Sequence, residues 1–373
     1  MDLICFSHLR WDFVLQRPQH LLTRFISSYR VFYIEEPVFD SSNDHLTFTN
    51  FSNVWVVKMH LQGDRNEQDI LPRQKELLSS LFRKMDIVKY FFWYYSPMAL
   101  PLGENLNPEI IIYDCMDELA NFRFAPTELK ELEEALINRS DLVFTGGESL
   151  FNKKKHLHSR VYCFPSSIDK KHFNTAQNFI EDPPDQEKIP HPRLGYFGVL
   201  DERIDTTLIR QMAIKRKDWH FIFLGPITKI SPESLPKEKN IHYLGNKDYK
   251  ILPEYLSGWD IALMPFAINE STEFISPTKT PEYLAAHKPV ISTPIKDVVT
   301  PYGKLNLVNI ASTADEFISA AEKELKSDRG EWKKNVNTFL SNTSWDITFQ
   351  NMHQLIKEQF SLKSHNTTFK EFA

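Results

Sequence analysis

Short apolar runs alternate with longer helical patterns along both halves of the chain, and this alternation constrains the fold more than any other feature. In the first half, the apolar runs at 91–95 and 142–144 flank a helical stretch at 126–138. The second half repeats the pattern, with apolar runs at 194–197 and 221–224. Short buried strands separated by helices predict parallel sheets covered on both faces, and 373 residues are enough for two such domains.

The division between the two predicted domains falls at 174–192, a stretch with four prolines and few apolar side chains that is typical of a linker. The first domain is then 1–173 and the second 193–343. A helix is predicted over 344–362, crossing back onto the first domain, and a polar tail over 363–373. Two doubly wound domains predict a cleft between the carboxyl ends of their sheets, where ligands bind.

Charge and cysteine content narrow the classes of function. The 44 Lys and Arg residues are outnumbered by 49 Asp and Glu residues, for a net charge of −5, which argues against a nucleic-acid partner. The three cysteines include no CxxC pair, so neither a disulfide framework nor a zinc site is expected. No apolar run approaches the length of about 18 residues that a membrane span needs. We expect a cytoplasmic protein, with peripheral contact to the inner face of the membrane as an open alternative.

Residues 274–292 carry the strongest functional signal and are predicted to form a loop, a helix and a buried strand. The loop brings Ser276, Thr278 and Lys279 to a helix N-terminus, where backbone N–H groups, a hydroxyl and an ammonium suit a diphosphate. One helical turn later, Glu282 can accept hydrogen bonds from a ribose diol. The alternative is a solvated pair between Lys279 and Glu282 on a helix that only packs against its sheet.

This stretch resembles the signature S-P-x-K-x-x-E-Y-L-A-x-G-x-P-V of GT-B glycosyltransferases, and is similar to the bacterial polysaccharide group of teichuronic-acid and xanthan glucuronosyl transferases. Further stretches at 163–173, 193–205 and 260–266 resemble GT-B motifs in the order of the family. The resemblance implies an α/β protein of the GT-B class, with two Rossmann-like doubly wound domains facing a central cleft. It also implies that Lys279 contacts the donor diphosphate and Glu282 the ribose.

Three positions in the second domain extend or depart from that pattern. Arg203, in the loop of the stretch at 193–205, is expected to supply a second positive charge to the diphosphate. His287 stands where the family has Gly at the end of a helix, so we predict a positive φ there. Phe274 stands where retaining relatives carry an acid, which argues against retaining chemistry.

The first domain offers an acidic loop directly after a predicted buried strand at 110–113. Transfer with inversion requires a base that deprotonates the acceptor hydroxyl, and a carboxylate at a strand end suits this role. Asp117 is the first choice and Asp114 the second, and the loop resembles the position of the base in the xanthan-type enzymes. The alternative for either residue is a helix cap or a turn.

The first strand-to-helix turn combines aromatic, guanidinium and imidazole groups. Trp11 and Arg17 suit a sugar or an anionic acceptor, and His8 or His20 suits the donor hydroxyls. The stretch at 11–20 also resembles the start of the same bacterial group. The alternative is that Arg17 and His20 cap and pack the first helix.

Together these features predict a glycosyltransferase that moves a hexosyl or uronosyl unit from a nucleoside diphosphate sugar, with a UDP-sugar favoured. The acceptor is expected to be a glycan or lipid-linked glycan in bacterial surface polysaccharide synthesis. Neither a metal ion nor a cofactor is expected. The alternatives are a nucleotide-sugar epimerase or hydrolase on the same scaffold, and a degenerate, non-catalytic binding domain.

A helical stretch at 75–89, with basic residues beside an apolar stripe, is expected to be a core helix, with a membrane-surface face as the alternative.

Overall fold

The computed structural model describes residues 1–64, 69–179 and 181–371, with side chains up to His365. The chain divides into two compact units. The first unit contains Met1–Ala120, Phe124–Phe164 and the chain from Trp345 onward. The second unit contains Asn121–Arg123 and Pro165–Ser344.

In the first unit, eight described strands form one sheet in the order β3-β4-β2-β1-β5-β6-β7-β8. Neighbouring strands are parallel except β3, which runs antiparallel to β4 at one edge. The chain order changes direction between β1 and β5, so the carboxyl ends of these two strands form a topological switch point. The strands are β1 (Asp2–Ser7), β2 (Arg30–Glu35), β3 (His45–Phe51), β4 (Val54–His60), β5 (Tyr90–Tyr94), β6 (Ile111–Cys115), β7 (Leu142–Thr145) and β8 (Val161–Cys163).

Helices cover this sheet because its central strands are apolar on both faces; every residue of β1 and β5 is buried. The helices are α1 (Arg17–Phe25), α2 (Ile70–Lys84), α3 (Leu129–Arg139) and α4 (Glu148–Lys154). A C-terminal helix, Trp345–Glu371, also belongs to this unit. In α2 the apolar stripe packs inward at Leu78 and Leu81, as a core helix requires.

In the second unit, six described parallel strands follow the order β11-β10-β9-β12-β13-β14. Counted from the first strand of the unit this is 3-2-1-4-5-6, the doubly wound order of dinucleotide-binding folds, with its switch point between β9 and β12. The strands are β9 (Arg193–Phe197), β10 (His220–Leu224), β11 (Ile241–Gly245), β12 (Ile261–Met264), β13 (Val290–Ser292) and β14 (Asn309–Ile310).

Three helices of the second unit begin after a residue whose side chain caps them: α5 after Asp169, α6 after Asp205 and α10 after Thr313. The Oδ1 atom of Asp205 accepts a hydrogen bond from the Leu208 amide at 2.8 Å, which caps the second of these helices. The helices are α5 (Lys170–Asn174), α6 (Thr206–Lys215), α7 (Leu252–Ser257), α8 (Lys279–Ala285), α9 (Lys296–Val298), α10 (Ala314–Lys326) and α11 (Gly330–Phe339).

The segment expected as a linker at 174–192 belongs instead to the packed part of the second unit, whose main stretch begins at Pro165. Gln186 is fully buried, accepts a hydrogen bond from Trp259 Nε1 and donates one to the Tyr255 carbonyl oxygen. Arg193 contacts Asp182 at 2.5 Å. The proline content therefore indicates an irregular stretch, but its polar side chains pack against the rest of the second unit. Ile180, within this stretch, lies outside the described residues.

The C-terminal helix runs through most of the segment expected as a tail at 363–373. Asp346, near its start, accepts a hydrogen bond from Arg24 at 2.8 Å, and Lys363 contacts Asp141 at 2.8 Å. Both contacts lie within the first unit. Across the described chain, no helix is long and apolar enough to cross a membrane.

Candidate functional site

The carboxyl ends of β9 and β12 mark the position where a doubly wound sheet binds its ligand. Gly198 directly follows β9 with φ of 135°, a value that L side chains rarely adopt. Its amide donates to the carbonyl oxygen of Leu224 at 2.8 Å. Gly225 follows β10 with φ of 140°, and a Cβ there would collide with the carbonyl oxygen of Gly198. Two glycines therefore allow the backbone to turn closely at the switch point.

Lys279 lies against this turn. It is the first residue of α8, and its Nζ atom is 5.4 Å from the centre of the Tyr196 ring on β9. A Cβ on Gly198 would lie 2.6 Å from the Lys279 Nζ, so the lysine side chain occupies the space that the glycine leaves open. The sequence therefore brings an ammonium group to the carboxyl end of the central strand.

Glu282 lies one helical turn further along α8 and is only 5% exposed. Within the described residues, no hydrogen bond reaches its carboxylate. Burial raises the pKa of Glu282 to about 7, an effect that the positive charge of Lys279 opposes. A solvated pair on an outward face is therefore not what the structure shows, because Glu282 is a buried acid beside the switch point.

The loop before α8 is held in place by its backbone. The hydroxyl of Ser166 donates to the carbonyl oxygen of Ser276 at 2.5 Å. Thr278 immediately precedes α8 with helical φ and ψ of −58° and −29°, and its side chain makes no capping hydrogen bond. Ser276 and Thr278 are both half-buried and lie within three residues of Lys279 in the chain, and their predicted contact with a diphosphate stays a prediction.

Arg203 lies in the loop between β9 and α6, and its guanidinium already has a carboxylate partner. Its Nε and Nη2 atoms donate to Asp201 at 3.0 and 2.7 Å, and Asp201 is only 3% exposed. The guanidinium carbon is also 5.7 Å from the centre of the Phe122 ring. Asp201 therefore offsets part of the positive charge predicted for this loop.

The end of α8 confirms the predicted positive φ of His287, which is 54°. The amide of His287 donates to the Leu284 carbonyl oxygen at 2.9 Å, and that of Lys288 to the Tyr283 carbonyl oxygen at 3.0 Å. This pair of hydrogen bonds is a Schellman motif, in which the residue after the helix takes the left-handed conformation. The Nε2 atom of His287 lies 3.0 Å from Oδ1 of Asn337.

Asp114 lies inside β6 and is fully buried, so it does not belong to the acidic loop in which it was expected. Arg17, the first residue of α1, contacts its two carboxylate oxygens at 2.9 and 3.0 Å and also donates to the Phe164 carbonyl oxygen at 2.8 Å. Burial raises the pKa of Asp114, while Arg17 opposes the rise. The two residues form one buried ion pair that joins α1 to the sheet.

Two aromatic candidates in the first unit are also packed. Trp11 is 8% exposed and makes an edge contact with Tyr33 at 4.9 Å between ring centres. The His20 ring stacks on Trp345 of the C-terminal helix at 4.8 Å. His20 thus packs the first helix, as the structural alternative predicts. His8 is half-buried and lies directly after β1, at the switch point of its sheet.

Asp117 lies on the loop after β6 and is half-buried. Its carbonyl oxygen accepts hydrogen bonds from the Leu119 amide at 3.0 Å and from the Cys115 thiol at 3.4 Å. The adjacent Glu118 is 8% exposed and lies 2.9 Å from Lys154 of α4. The loop that carries Asp117 is therefore anchored to α4 by an ion pair.

Sequence reasoning missed the paired glycine turn at Gly198 and Gly225, the Asp201 partner of Arg203 and the ion pair that anchors Glu118. The glycine after an apolar run at 194–197 was the available signal for the first of these. Asp201 and Arg203 lie two positions apart in one loop, so their proximity in the sequence was an available signal for that pair. The pair of Glu118 with Lys154 carries no comparable signal, because these residues meet only through the packing of separate elements. The described residues contain no cluster of three or more His, Cys, Asp or Glu side chains suited to a metal ion.

Residues 191–327 match the family described as "Glycosyl transferases group 1". The chain is also 25% identical, over 285 residues, to a Bacillus subtilis (strain 168) protein described as "Putative teichuronic acid biosynthesis glycosyltransferase TuaH". The similarity covers 69% of each chain.

Among solved structures, the chain is similar to one from E. coli described as trehalose-6-phosphate bound with UDP-2-fluoro glucose. That match has a TM-score of 0.67 at 13% identity and covers 96% of this chain and 99% of the other. The catalytic domain of starch synthase IV from Arabidopsis thaliana, bound to ADP and acarbose, matches with a TM-score of 0.63 at 11% identity, covering 96% and 99%. These likenesses confirm the expected pair of Rossmann-like domains.

Proposed function

Because this chain is a glycosyltransferase with the GT-B fold, we propose that it transfers a hexosyl or uronosyl unit from a nucleoside diphosphate sugar to a glycan or lipid-linked glycan in bacterial surface polysaccharide synthesis. One observation carries the proposal: Lys279 and the buried Glu282 lie on one turn of α8, and Lys279 lies against the glycine turn at Gly198. The similarity to the B. subtilis protein supports the polysaccharide product.

Lys279 binds the diphosphate in this proposal. Its ammonium lies at the carboxyl end of β9, where the Gly198 turn lets a ligand approach the backbone closely. When the bond between the sugar and the diphosphate breaks, the electron pair goes to the diphosphate. A cation placed in advance beside that oxygen stabilises the developing charge, and such electrostatic stabilisation is a large contribution to catalysis. Ser276 and Thr278 complete the diphosphate loop, and Arg203 adds charge that Asp201 moderates.

Glu282 binds the ribose. A buried carboxylate without a donor is costly, and the two ribose hydroxyls supply the hydrogen bonds that it lacks. The structures of similar fold that hold UDP-2-fluoro glucose and ADP support a nucleoside diphosphate as the ligand. Of the possible donors, we favour a UDP-sugar.

Asp117 is the proposed base. It takes the proton from the acceptor hydroxyl while that oxygen forms a bond to the anomeric carbon and the diphosphate leaves. Asp114 is a poorer choice, because it is fully buried and both of its oxygens are bound by Arg17. We expect the reaction to need no metal ion and no cofactor besides the donor. His8 remains a candidate for contacts with sugar hydroxyls.

We further propose that the enzyme works in the cytoplasm, with peripheral membrane contact if the acceptor is lipid-linked. Because Leu78 and Leu81 of α2 pack into the core, such contact would involve exposed residues of the helix, which include Arg83 and Lys84. Sedimentation with anionic vesicles tests this part of the proposal. Binding that persists when Arg83 and Lys84 are both replaced with Gln would rule out this face.

The first experiment is thermal-shift binding with UDP, GDP, ADP and dTDP, comparing the natural chain with Lys279→Ala. We expect one nucleotide to stabilise the natural chain and to lose its effect in the variant, since a ligand that binds only the folded state raises its stability. Lys296→Ala is the matched control, because Lys296 is more than half exposed and pairs with Glu273 on the surface.

Three outcomes separate the hypotheses. A shift that depends on Lys279, together with nucleotide release that increases when a glycan is added, supports the transferase. Fast release without any acceptor points to a hydrolase, and conversion of the donor sugar without release points to an epimerase. If none of the four nucleotides changes the melting temperature, the proposal fails in favour of a non-catalytic binding domain.

A further inference from the structure

The loop that carries Asp117 is attached to a buried cluster of three charged side chains. Lys154 of α4 is 2% exposed, and its Nζ atom lies 2.8 Å from Glu133 Oε1 and 2.9 Å from Glu118 Oε2. Glu133 belongs to α3, whereas Glu118 directly follows Asp117. One buried lysine therefore joins two helices to the predicted catalytic loop.

Two acids and two lysines pair in and around this cluster. Glu133 alone would neutralise Lys154, and it already accepts a hydrogen bond from the Tyr113 hydroxyl at 2.6 Å. Glu118 adds a second negative charge, which only the more exposed Lys153 offsets, at 3.2 Å. Burying an additional carboxylate costs free energy, and buried ion pairs are weak contributors to stability compared with apolar packing. Glu118 lies on the loop and not on a helix, so its ion pair with Lys154 holds the loop, whereas the pair of Glu133 with Lys154 joins α3 to α4.

The backbone of the same loop is also tightly constrained. The Gly146 amide donates to the Cys115 carbonyl oxygen at 2.8 Å, and a Cβ at Gly146 would lie 2.6 Å from the Met116 carbonyl oxygen. The loop therefore has a close backbone contact on one side and the Glu118–Lys154 ion pair on the other. Loops usually have fewer such restraints, and sites that must hold a reactive group in one geometry need them.

We propose that Glu118, anchored by Lys154, is a positioning residue that holds Asp117 in its reactive geometry. This inference rests on the proposed function, in which Asp117 is the base. Glu118 acts through the loop and does not itself touch the substrate.

The test compares Glu118→Gln with Glu133→Gln. Each variant removes one carboxylate charge from Lys154, and the two acids are 8% and 9% exposed, so the structural damage is matched. Only Glu118 belongs to the Asp117 loop. The assay measures the transfer of sugar to water as the release of UDP from UDP-glucose and from UDP-glucuronic acid, between pH 5 and 9. Asp117→Asn serves as the reference variant, because it lacks the proposed base.

For Glu118→Gln, we expect kcat to fall about tenfold with KM for the donor within about twofold, because small displacements of a catalytic group cost this much. Glu133→Gln should keep kcat within about twofold. Equal losses of kcat in the two variants, or a loss in Glu118→Gln that appears in KM and not in kcat, would overturn the inference in favour of a purely structural cluster.

Hydrogen exchange followed by mass spectrometry separates this inference from the proposed function, since it needs no substrate. The amide of Leu119, which donates to the Asp117 carbonyl oxygen, should exchange faster in Glu118→Gln and at an unchanged rate in Glu133→Gln. Unchanged exchange in Glu118→Gln defeats the positioning role even if Asp117 is the base. If Leu119 exchanges faster in Glu118→Gln but Asp117→Asn keeps full activity, Asp117 is not the base. The cluster then holds the loop without a role in catalysis.

Discussion

Each unit is built on a sheet with a topological switch point, but the predicted site residues of the two units differ in their hydrogen-bond partners. In the second unit, Lys279 and Glu282 lie on one turn of α8, and the carboxylate of Glu282 has no hydrogen-bond donor among the described residues. In the first unit, Arg17 and Asp114 lie 97 positions apart and form a buried ion pair through two hydrogen bonds, and Arg17 also donates to the Phe164 carbonyl oxygen. Removing one partner of a buried ion pair destabilises the fold, whereas a nearly buried carboxylate with no donor among the described residues can accept hydrogen bonds from a ligand.

The comparison also shows where the sequence is a reliable guide to a site. Residues three positions apart in a helix lie on the same face, whatever the rest of the chain does. The spacing of Lys279 and Glu282 was therefore sufficient to predict that their side chains share one face of α8. Arg17, Trp11 and His20 share a short stretch too, yet each packs against a different element. Their residue types are typical of a sugar-binding site, but in the structure their side chains pack against other elements of the first unit.

The strongest test of this contrast is Arg17→Met, which leaves the Asp114 carboxylate buried without its partner. We expect the free energy of unfolding to fall by about 3–5 kcal/mol, measured by urea denaturation. Adding Asp114→Asn should restore part of the loss. A large loss of turnover with a change in unfolding free energy below about 1 kcal/mol would place Arg17 in the site and break the comparison.

A second test replaces Gly198 with Ala. Both the φ of 135° and the nearby Lys279 Nζ oppose a Cβ, so we expect affinity for UDP, measured by titration calorimetry, to fall about tenfold. Gly245→Ala is the matched control, because φ is 72° there and nothing lies within 4 Å of the added atom. Both variants should lose about 1–2 kcal/mol of stability. Equal loss of UDP affinity in both would show that the Lys279 contact is irrelevant.

The pH dependence of UDP binding sharpens the role of Glu282. Its pKa is about 7 in the folded chain against an ordinary value of 4.5, so the folded state holds an extra proton between these values and the free energy of unfolding falls as pH rises through that window. Ribose hydroxyls bind the carboxylate form. Affinity for UDP should therefore fall about tenfold from pH 8 to pH 6, with a proton released on binding.

Calorimetry in two buffers of different ionisation enthalpy measures that proton directly. Glu282→Gln should bind UDP more weakly and with little dependence on pH, whereas Glu273→Gln, at a more exposed position, should retain the natural profile. An unchanged pH dependence in Glu282→Gln would assign the titration to another group.

The smallest expected effect concerns His287. His287→Gly and His287→Ala both lose the contact with Asn337, but only Ala keeps the cost of φ at 54°. We expect the Gly variant to be more stable than the Ala variant by about 1 kcal/mol in thermal unfolding, with UDP affinity equal in both. If Ala is as stable as Gly, the left-handed conformation at the end of α8 carries no penalty.

Most of the fold was predictable because its buried strands are local apolar runs. The runs at 194–197, 221–224 and 261–264 became β9, β10 and β12 with shifts of at most one residue. The strands β3 and β14 were not predicted, because polar and apolar side chains alternate in β3 and β14 is only two residues long. The linker prediction at 174–192 failed for a related reason: Gln186 and Asp182 are polar, and their packing depends on Trp259 and Arg193 in later elements.

The sequence by itself determined the local features of the structure. These are the strands, the helix caps, the left-handed residue at the end of α8 and the placement of Lys279 and Glu282 on one helical turn. These features follow from side-chain period and backbone sterics, which act over short distances. Only the tertiary structure decided that Arg17 neutralises Asp114, that Lys154 holds Glu118, and that Gly198 makes room for Lys279. Such pairings depend on which strand lies beside which, and strand order is a property of the whole sheet.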